Sequence, residues 1–219
     1  AASAAGPAGA SAAAASVSGV VTVVPARVLD TRSSATPAAA GSMTTVSLAG
    51  RGGVPTTGVK AVIVNVTAVS PTAGGYLTVY PGGTARPTAS NVNYKPGQTV
   101  ANQAIVKVSS SGQITVFTSA KTHLLVDVTG YVPTAATYTP LSPTRLLDTR
   151  TTTIPGAGST TAVTVLGRAG VPATGVAAVV LNVTAVSPMA SGYLSVYPGG
   201  NRPGASNVNY RPGQNIAGL

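Results

Sequence analysis

The chain of 219 residues contains an internal duplication. Residues 53–83 and 170–200 are identical at 24 of 31 positions, too many to reflect a shared bias in composition. Shorter matches lie on either side, pairing 28–32 with 146–150 and 86–98 with 202–214. Solenoid repeats have periods of about 20 to 50 residues, whereas the period here is about 117 residues. We therefore expect two tandem domains, each with a core of its own.

Apolar and polar residues alternate along short segments of each repeat, and Gly and Pro clusters separate these segments. Residues 60–69 place Val62, Val64 and Val66 on one face, the pattern of a half-buried strand. Six more segments of the first repeat follow it, namely 44–48, 76–80, 90–94, 104–108, 113–117 and 123–128. The spacing predicts an all-β chain of two tandem antiparallel β-sandwich modules, immunoglobulin-like or jelly-roll in type. It leaves the strand order open.

The alternating faces that are richest in branched aliphatic side chains predict the core of each module. In the first repeat we expect burial of Val62, Val64, Val66, Leu77 and Val79. The equivalent positions of the second repeat are Val179, Leu181, Val183, Leu194 and Val196.

The composition excludes most enzyme chemistry. The chain has no Cys and no Glu, and its only His is His123. We therefore predict no catalytic residue, no metal site and no cofactor. The net charge is +10, but the 13 basic residues are scattered, whereas nucleic-acid-binding proteins concentrate them, so we expect no nucleic-acid partner. No apolar stretch approaches the roughly 20 residues needed to span a bilayer.

Two of the three acidic residues, Asp30 and Asp148, stand in repeated Asp-Thr-Arg motifs. Two such motifs in a duplicated β protein superficially match the aspartic-protease dyad, in which two carboxylates share a proton. Arg32 and Arg150 replace the glycine of that motif, and their charge favours ionised carboxylates. We predict structural ion pairs among Asp30, Arg32, Asp127, Asp148 and Arg150. A calcium site at Asp30 and Asp127 is disfavoured, because no Asp-rich loop supplies enough oxygen ligands.

Several other side chains have both a chemical and a structural interpretation. His123 and Asp127 share a strand face, but no nucleophile-elbow motif accompanies them, so we expect His123 to be a packing residue. Asn65 and Asn182 match the N-glycosylation pattern but lie within predicted strands, which favours cross-strand hydrogen bonds.

Four tyrosines are candidate glycan contacts, because aromatic rings stack on sugars, although tyrosines also plug sandwich corners. They are Tyr80, Tyr94, Tyr197 and Tyr210.

The motifs of this chain resemble a repeat domain found in secreted proteins of actinobacteria and other bacteria. The matching elements are RVLDTR at 27–32, the block from GVP through NVTAVSP to GYLTVYPGG at 53–83, SNVNYKPGQ at 90–98 and HLLVDVTGY, with its VDVTGY core, at 123–131. Repeat one carries all of them and repeat two the first three. The resemblance implies an extracellular, multi-domain setting and no established catalytic residues.

Repeat two stops at Leu219, 28 residues before the position that would match Tyr131. The burial that three further strands would provide is comparable to the net stability of a whole domain, about 5 to 15 kcal/mol. We therefore expect that repeat two does not fold alone. Three explanations stay open: the chain is a fragment, it has been processed, or another chain completes the sandwich by strand addition.

The strand-addition hypothesis has a candidate donor in the Ala-rich N-terminal extension, residues 1–24. We predict an assembly strand that identical chains donate head to tail to form a filament. Its residues are Val17, Val20, Val21, Val23 and Val24. The remaining domain boundaries are 25–133 for repeat one, 134–142 for a linker and 143–219 for the incomplete repeat two.

These observations favour a secreted protein, extracellular or at the cell surface, with a structural role and assembly into a homo-oligomer or polymer by strand complementation. The alternative function is a carbohydrate- or cell-wall-binding module, whose sparse positive charge would attract it weakly to cell-wall polysaccharide. Retention on insoluble peptidoglycan would separate the two functions, because a pure building block stays in the supernatant.

Overall fold

The computed structural model describes residues 19–204 and 206–219, and the fold is all-β. Repeat one forms eight strands, β1 (Val21–Asp30), β2 (Met43–Ser47), β3 (Val59–Val69), β4 (Gly75–Pro81), β5 (Val92–Tyr94), β6 (Val100–Lys107), β7 (Gln113–Thr118) and β8 (His123–Pro133). They build two four-stranded antiparallel sheets, with the orders β1-β8-β3-β6 and β2-β7-β4-β5. Side chains of both sheets share one apolar core, which confirms the predicted sandwich.

The last two strands of repeat one take inner positions in the two sheets. β7 lies between β2 and β4, and β8 lies between β1 and β3. Residues 119–122 connect them by crossing from one sheet to the other, so we call residues 113–133 the β7–β8 arch. One continuous segment therefore provides an inner strand to each sheet of the sandwich.

The predicted core of repeat one is confirmed. Val62, Val64, Val66, Leu77 and Val79 are all fully buried. The β7–β8 arch adds a comparable set of buried side chains, namely Ile114, Val116, Leu124, Val126 and Val128. The alternating positions of β3 include the partly exposed Ile63 and Asn65, whereas those of β4, Thr78 and Tyr80, are also buried.

Repeat two forms only four short strands in its described part: β9 (Val183–Ala185), β10 (Gly192–Leu194), β11 (Val208–Tyr210) and β12 (Ile216–Gly218). β9 pairs with β12, and β10 pairs with β11. The partners correspond to those of repeat one: Ala185 faces Ile216 as Ala68 faces Val100. Repeat two thus reproduces the β3–β6 and β4–β5 pairings of repeat one over three residues each.

The predicted core of repeat two is wrong. Val179 and Val196 are exposed, at 38% and 42%, and Leu181, Val183 and Leu194 are only partly buried. Of the fifteen exposed large hydrophobic residues in the described chain, twelve follow residue 133. The physical reason is that no described segment of repeat two takes the places of β7 and β8. The strand faces that those two strands cover in repeat one therefore remain in contact with water.

The N-terminal boundary also differs from the prediction. β1 begins at Val21, where Val21 pairs with Tyr131, and Val23 packs against the core of repeat one. Three of the five valines assigned to an assembly strand, Val21, Val23 and Val24, therefore lie in a strand of their own sandwich. Val20 precedes β1 and is exposed, and Val17 lies outside the described residues.

The described residues contain no α-helix, and a single 3-10 turn spans Thr149–Thr151. None of their helical segments is long and apolar enough to cross a membrane.

Equivalent leucines in the two repeats test this difference in packing. We expect Leu77→Ala to lower the free energy of unfolding by about 2 to 5 kcal/mol, because it opens a cavity in a filled core. The matched change Leu194→Ala should cost much less, since that side chain is already partly in water. Urea denaturation of the two variants measures the difference. Equal losses would show that repeat two has a core of its own.

Candidate functional site

The Asp-Thr-Arg motif closes an ion-paired turn at the end of β1. Arg32 Nη2 donates to Asp30 Oδ2 at 2.7 Å, and the Arg32 backbone amide and Nε both donate to Oδ1 at 2.9 Å. The same contacts recur between Asp148 and Arg150, whose Nη2 lies 2.6 Å from Oδ2. The predicted pairs within each motif are therefore present, and the turn keeps its geometry in repeat two without a sandwich around it.

These hydrogen bonds determine the charge state of the motif. The Arg32 side chain, followed by the Arg32 backbone amide, holds the pKa of Asp30 well below its ordinary range, although partial desolvation opposes the shift. Arg150 acts in the same way on the pKa of Asp148. A carboxylate dyad that shares a proton needs one raised pKa. The two aspartates thus have the electrostatics of structural ion pairs.

Thr31, the central residue of the motif, joins the turn to the β7–β8 arch. Its hydroxyl accepts a hydrogen bond from the Leu124 amide at 2.9 Å, and its own amide donates to the Leu124 carbonyl at 3.1 Å. The same hydroxyl lies 3.1 Å from His123 Nδ1. His123 therefore makes a structural contact at the start of β8, beside the strand junction that Thr31 holds.

A row of polar side chains crosses the outer face of the sheet β1-β8-β3-β6. The strand register places Arg27 opposite Asp127, Asp127 opposite Asn65, and Asn65 opposite Gln103. Arg27 binds Asp127 in a bidentate manner, with Nε at 2.7 Å from Oδ1 and Nη2 at 3.0 Å from Oδ2. The predicted ion-pair residue Asp127 thus has a partner, Arg27, that the sequence did not identify.

The row lies in a shallow, open depression of about 600 Å³. We call this depression the polar groove, lined by Pro25, Arg27, Asn65, Gln103, Asp127 and Thr129. Gln103 Nε2 donates to Thr129 Oγ1 at 3.3 Å, and the Asn65 side chain has no hydrogen bond within the described protein. The alternation marks each of these residues as outward-facing, but only the strand order brings them together.

The two asparagines of the NVT motifs differ from their predicted role. Asn65 makes no cross-strand side-chain hydrogen bond within the described protein and lies in the polar groove. Asn182 Nδ2 donates to the Ser90 carbonyl at 2.8 Å and its Oδ1 accepts from Asn102 Nδ2 at 3.1 Å. Asn65 therefore lines a surface groove in repeat one, whereas the equivalent Asn182 makes a contact between the two repeats.

Two of the four tyrosines that are candidate glycan contacts are buried within repeat one. Tyr80 is 1% exposed and Tyr94 is 4% exposed. The Tyr94 hydroxyl lies 2.8 Å from Thr118 Oγ1, and burial raises the pKa of Tyr80. Tyr197 and Tyr210 are partly buried. Tyr80 and Tyr94 are therefore not available as glycan contacts, and their burial agrees with the structural interpretation of these tyrosines.

A second candidate site is the uncovered half of repeat two, which we call the open half. It comprises the segments of repeat two that are equivalent to β1, β2, β3 and β4. In repeat one these strands pair with β7 or β8, but no described strand of repeat two takes those positions. Of the described residues of repeat two, only Ala185 and Val208 are buried hydrophobics. The open half therefore combines exposed apolar side chains with strand segments that have no inner partner.

The described residues contain no group of three or more His, Asp or Glu side chains placed to hold a metal ion. No family model matches this chain, and no curated protein is significantly similar to it. The geometry of the two sites is therefore the basis for any functional proposal.

A titration tests the electrostatics of the Asp-Thr-Arg turn. Because its folded-state pKa is depressed, ionised Asp30 stabilises repeat one above its ordinary pKa of about 3.9, and this stabilisation is lost as the pH falls below that value. We expect Arg32→Ala to raise the pKa of Asp30 and to make the free energy of unfolding less sensitive to pH between about 4 and 2. Carboxyl ¹³C NMR and urea denaturation measure these two effects.

The matched variant Arg150→Ala serves as the control for this titration. It should raise the pKa of Asp148 without changing the pH dependence of unfolding of repeat one. An Asp30 carboxyl that titrates at its ordinary pKa in the unmodified chain would contradict the role given to Arg32.

Proposed function

We propose that this protein is a secreted structural protein of the cell surface, in which strands from a second polypeptide complete repeat two and join neighbouring molecules. The observation that carries this proposal is the open half. Its short strand pairs have the register of repeat one, while the positions of two inner strands have no occupant among the described residues. Such a surface has both unpaired backbone groups and apolar side chains, which strand addition satisfies together.

The geometry of repeat one defines what a donor must supply. Filling the open half requires one strand for each sheet, joined by a crossing as in the β7–β8 arch. A single strand from the N-terminal extension fills at most one of these positions, and Val21 to Val24 already belong to β1. We therefore replace the predicted single donor strand with a two-stranded arch contributed by another polypeptide.

Within the described residues, exchange of the β7–β8 arch between identical chains closes no additional sandwich. Each described chain contains one such arch, and repeat one uses it. An exchange between copies would therefore open one sandwich for every one that it closes. The proposal thus favours a donor with an arch to spare, such as another protein built from the same repeat.

A non-enzymatic role is part of this proposal. Each of the three aspartates is held by an arginine, and the chain has no Glu or Cys that could take their place. The alternative of a carbohydrate-binding module acting through the four tyrosines is weaker, because the rings of Tyr80 and Tyr94 cannot reach a ligand.

A self-complemented variant tests the proposal. A copy of residues 104–133 is appended after Leu219, the position that matches Gln103 in the repeat alignment. The copied arch should fill the open half, because it places its apolar face opposite the exposed side chains. We expect the unmodified chain to bind a separately added polypeptide of residues 104–133. The self-complemented variant, whose open half is already filled, should not bind it in isothermal titration calorimetry.

The matched control carries Val126→Asp and Val128→Asp within the appended copy only. Both valines are fully buried in repeat one, so charged residues there should prevent docking. This control should bind the added polypeptide like the unmodified chain. If the unmodified chain does not bind the added polypeptide, or if the intact copy leaves that binding unchanged, the proposed function is incorrect.

A further inference from the structure

We propose that the polar groove of repeat one binds a neutral, polyhydroxylated ligand, a saccharide, through Asn65 and its neighbours. This site is separate from the open half and does not depend on strand complementation. It lies on the outer face of the sheet β1-β8-β3-β6, whereas the apolar core lies on the inner face.

Several hydrogen-bond donors and acceptors in the groove have no partner in the described protein. Arg27 uses Nε and Nη2 on Asp127 and Nη1 on Asp30, which leaves two of its five N–H groups. Asn65 offers two donors and one carbonyl acceptor, and none of them has a partner in the described protein. Gln103 keeps its carbonyl oxygen and one N–H after its contact with Thr129. Donors and acceptors therefore alternate along the row.

Charge cancellation selects a neutral ligand. The bidentate contact to Asp127 and the further contact to Asp30 both compensate the Arg27 guanidinium. An anion would have to compete with these carboxylates, and a cation would have to displace Arg27. A hydroxyl group both donates and accepts, so adjacent hydroxyls match alternating amide, guanidinium and carboxylate groups without a net charge.

The dimensions of the groove agree with a short saccharide. Four adjacent strands are spaced by about 4.8 Å, so the row is roughly 14 Å long. The depression is open to solvent along this row, so a ligand bound there would lie across the strands with one side in water. The lining has no aromatic ring and only Pro25 as an apolar residue, which disfavours a lipid or a flat apolar ligand.

The structure places this site in repeat one alone. The equivalent of Gln103 is Leu219, which has no side-chain amide, and no described strand of repeat two takes the place of β8, which carries Asp127. The remaining equivalents are already engaged, since Asn182 binds Ser90 and Asn102, and Arg145 Nη2 donates to the Thr88 carbonyl at 3.1 Å. We therefore expect one saccharide site in each chain.

NMR titration of the full chain tests this inference. Neutral trisaccharides of glucose and of N-acetylglucosamine are the probes, each added up to about 20 mM because a shallow site of this kind is expected to bind weakly. We expect at least one probe to shift the side-chain NH₂ signals of Asn65 and Gln103. Sodium sulfate, added in a parallel titration, should leave both signals unchanged, and a sulfate-induced shift in the absence of a sugar effect would overturn the inference.

Two variants separate binding from folding. Asn65→Thr keeps a strand-forming residue and should weaken saccharide binding by at least about tenfold, since a hydrogen-bonding amide is lost from the centre of the row. Asn182→Thr, the matched change in repeat two, should leave the affinity unchanged. The inference is overturned if no sugar shifts the Asn65 and Gln103 signals, or if Asn65→Thr retains the backbone spectrum and binds sugar as tightly as the unmodified chain.

Discussion

The antiparallel pairing of the β7–β8 arch with both sheets is the interaction on which the rest of this structure depends. The arch is the last segment of its repeat, yet its strands take inner positions and contribute buried aliphatic side chains that include Ile114, Val116, Leu124, Val126 and Val128. At about 1.5 to 3 kcal/mol for each buried side chain, their contribution is of the order of the whole net stability of a domain. A repeat without the arch therefore keeps local pairs and loses its core, as repeat two does.

The contrast between the repeats separates local from long-range structure. Both repeats contain the Asp-Thr-Arg turn and the three-residue strand pairs. The turn forms between residues that are close in sequence, and the strand pairs of repeat two form without strands in the positions of β7 and β8. Burial of the valine faces needs strands from the far end of the repeat and occurs only in repeat one. Thr31 connects the two levels, since its hydroxyl accepts from the Leu124 amide at the start of β8.

Much of the fold could be predicted from the sequence because alternation and Gly/Pro punctuation are local signals. The core faces of β3 and β4 follow directly from them. Strand order is not local, so the inner position of the β7–β8 arch and the Arg27–Asp127 pair could not be predicted. The polar groove was missed for the same reason, because Asn65 and Gln103 become neighbours only through pairing of β3 with β6.

Amide hydrogen exchange of the full chain tests the central role of the arch most directly. Val64 and Val66 in β3 are flanked by β8 and β6, whereas Leu181 and Val183 hold the equivalent positions in repeat two. The account predicts that the amides of Val64 and Val66 exchange only through global unfolding and that the amide of Leu181 exchanges close to the unprotected rate. Val183, which lies in the short β9–β12 pair, should be protected far less than Val66. Similar protection at all four amides would contradict it, because repeat two would then be folded without an arch.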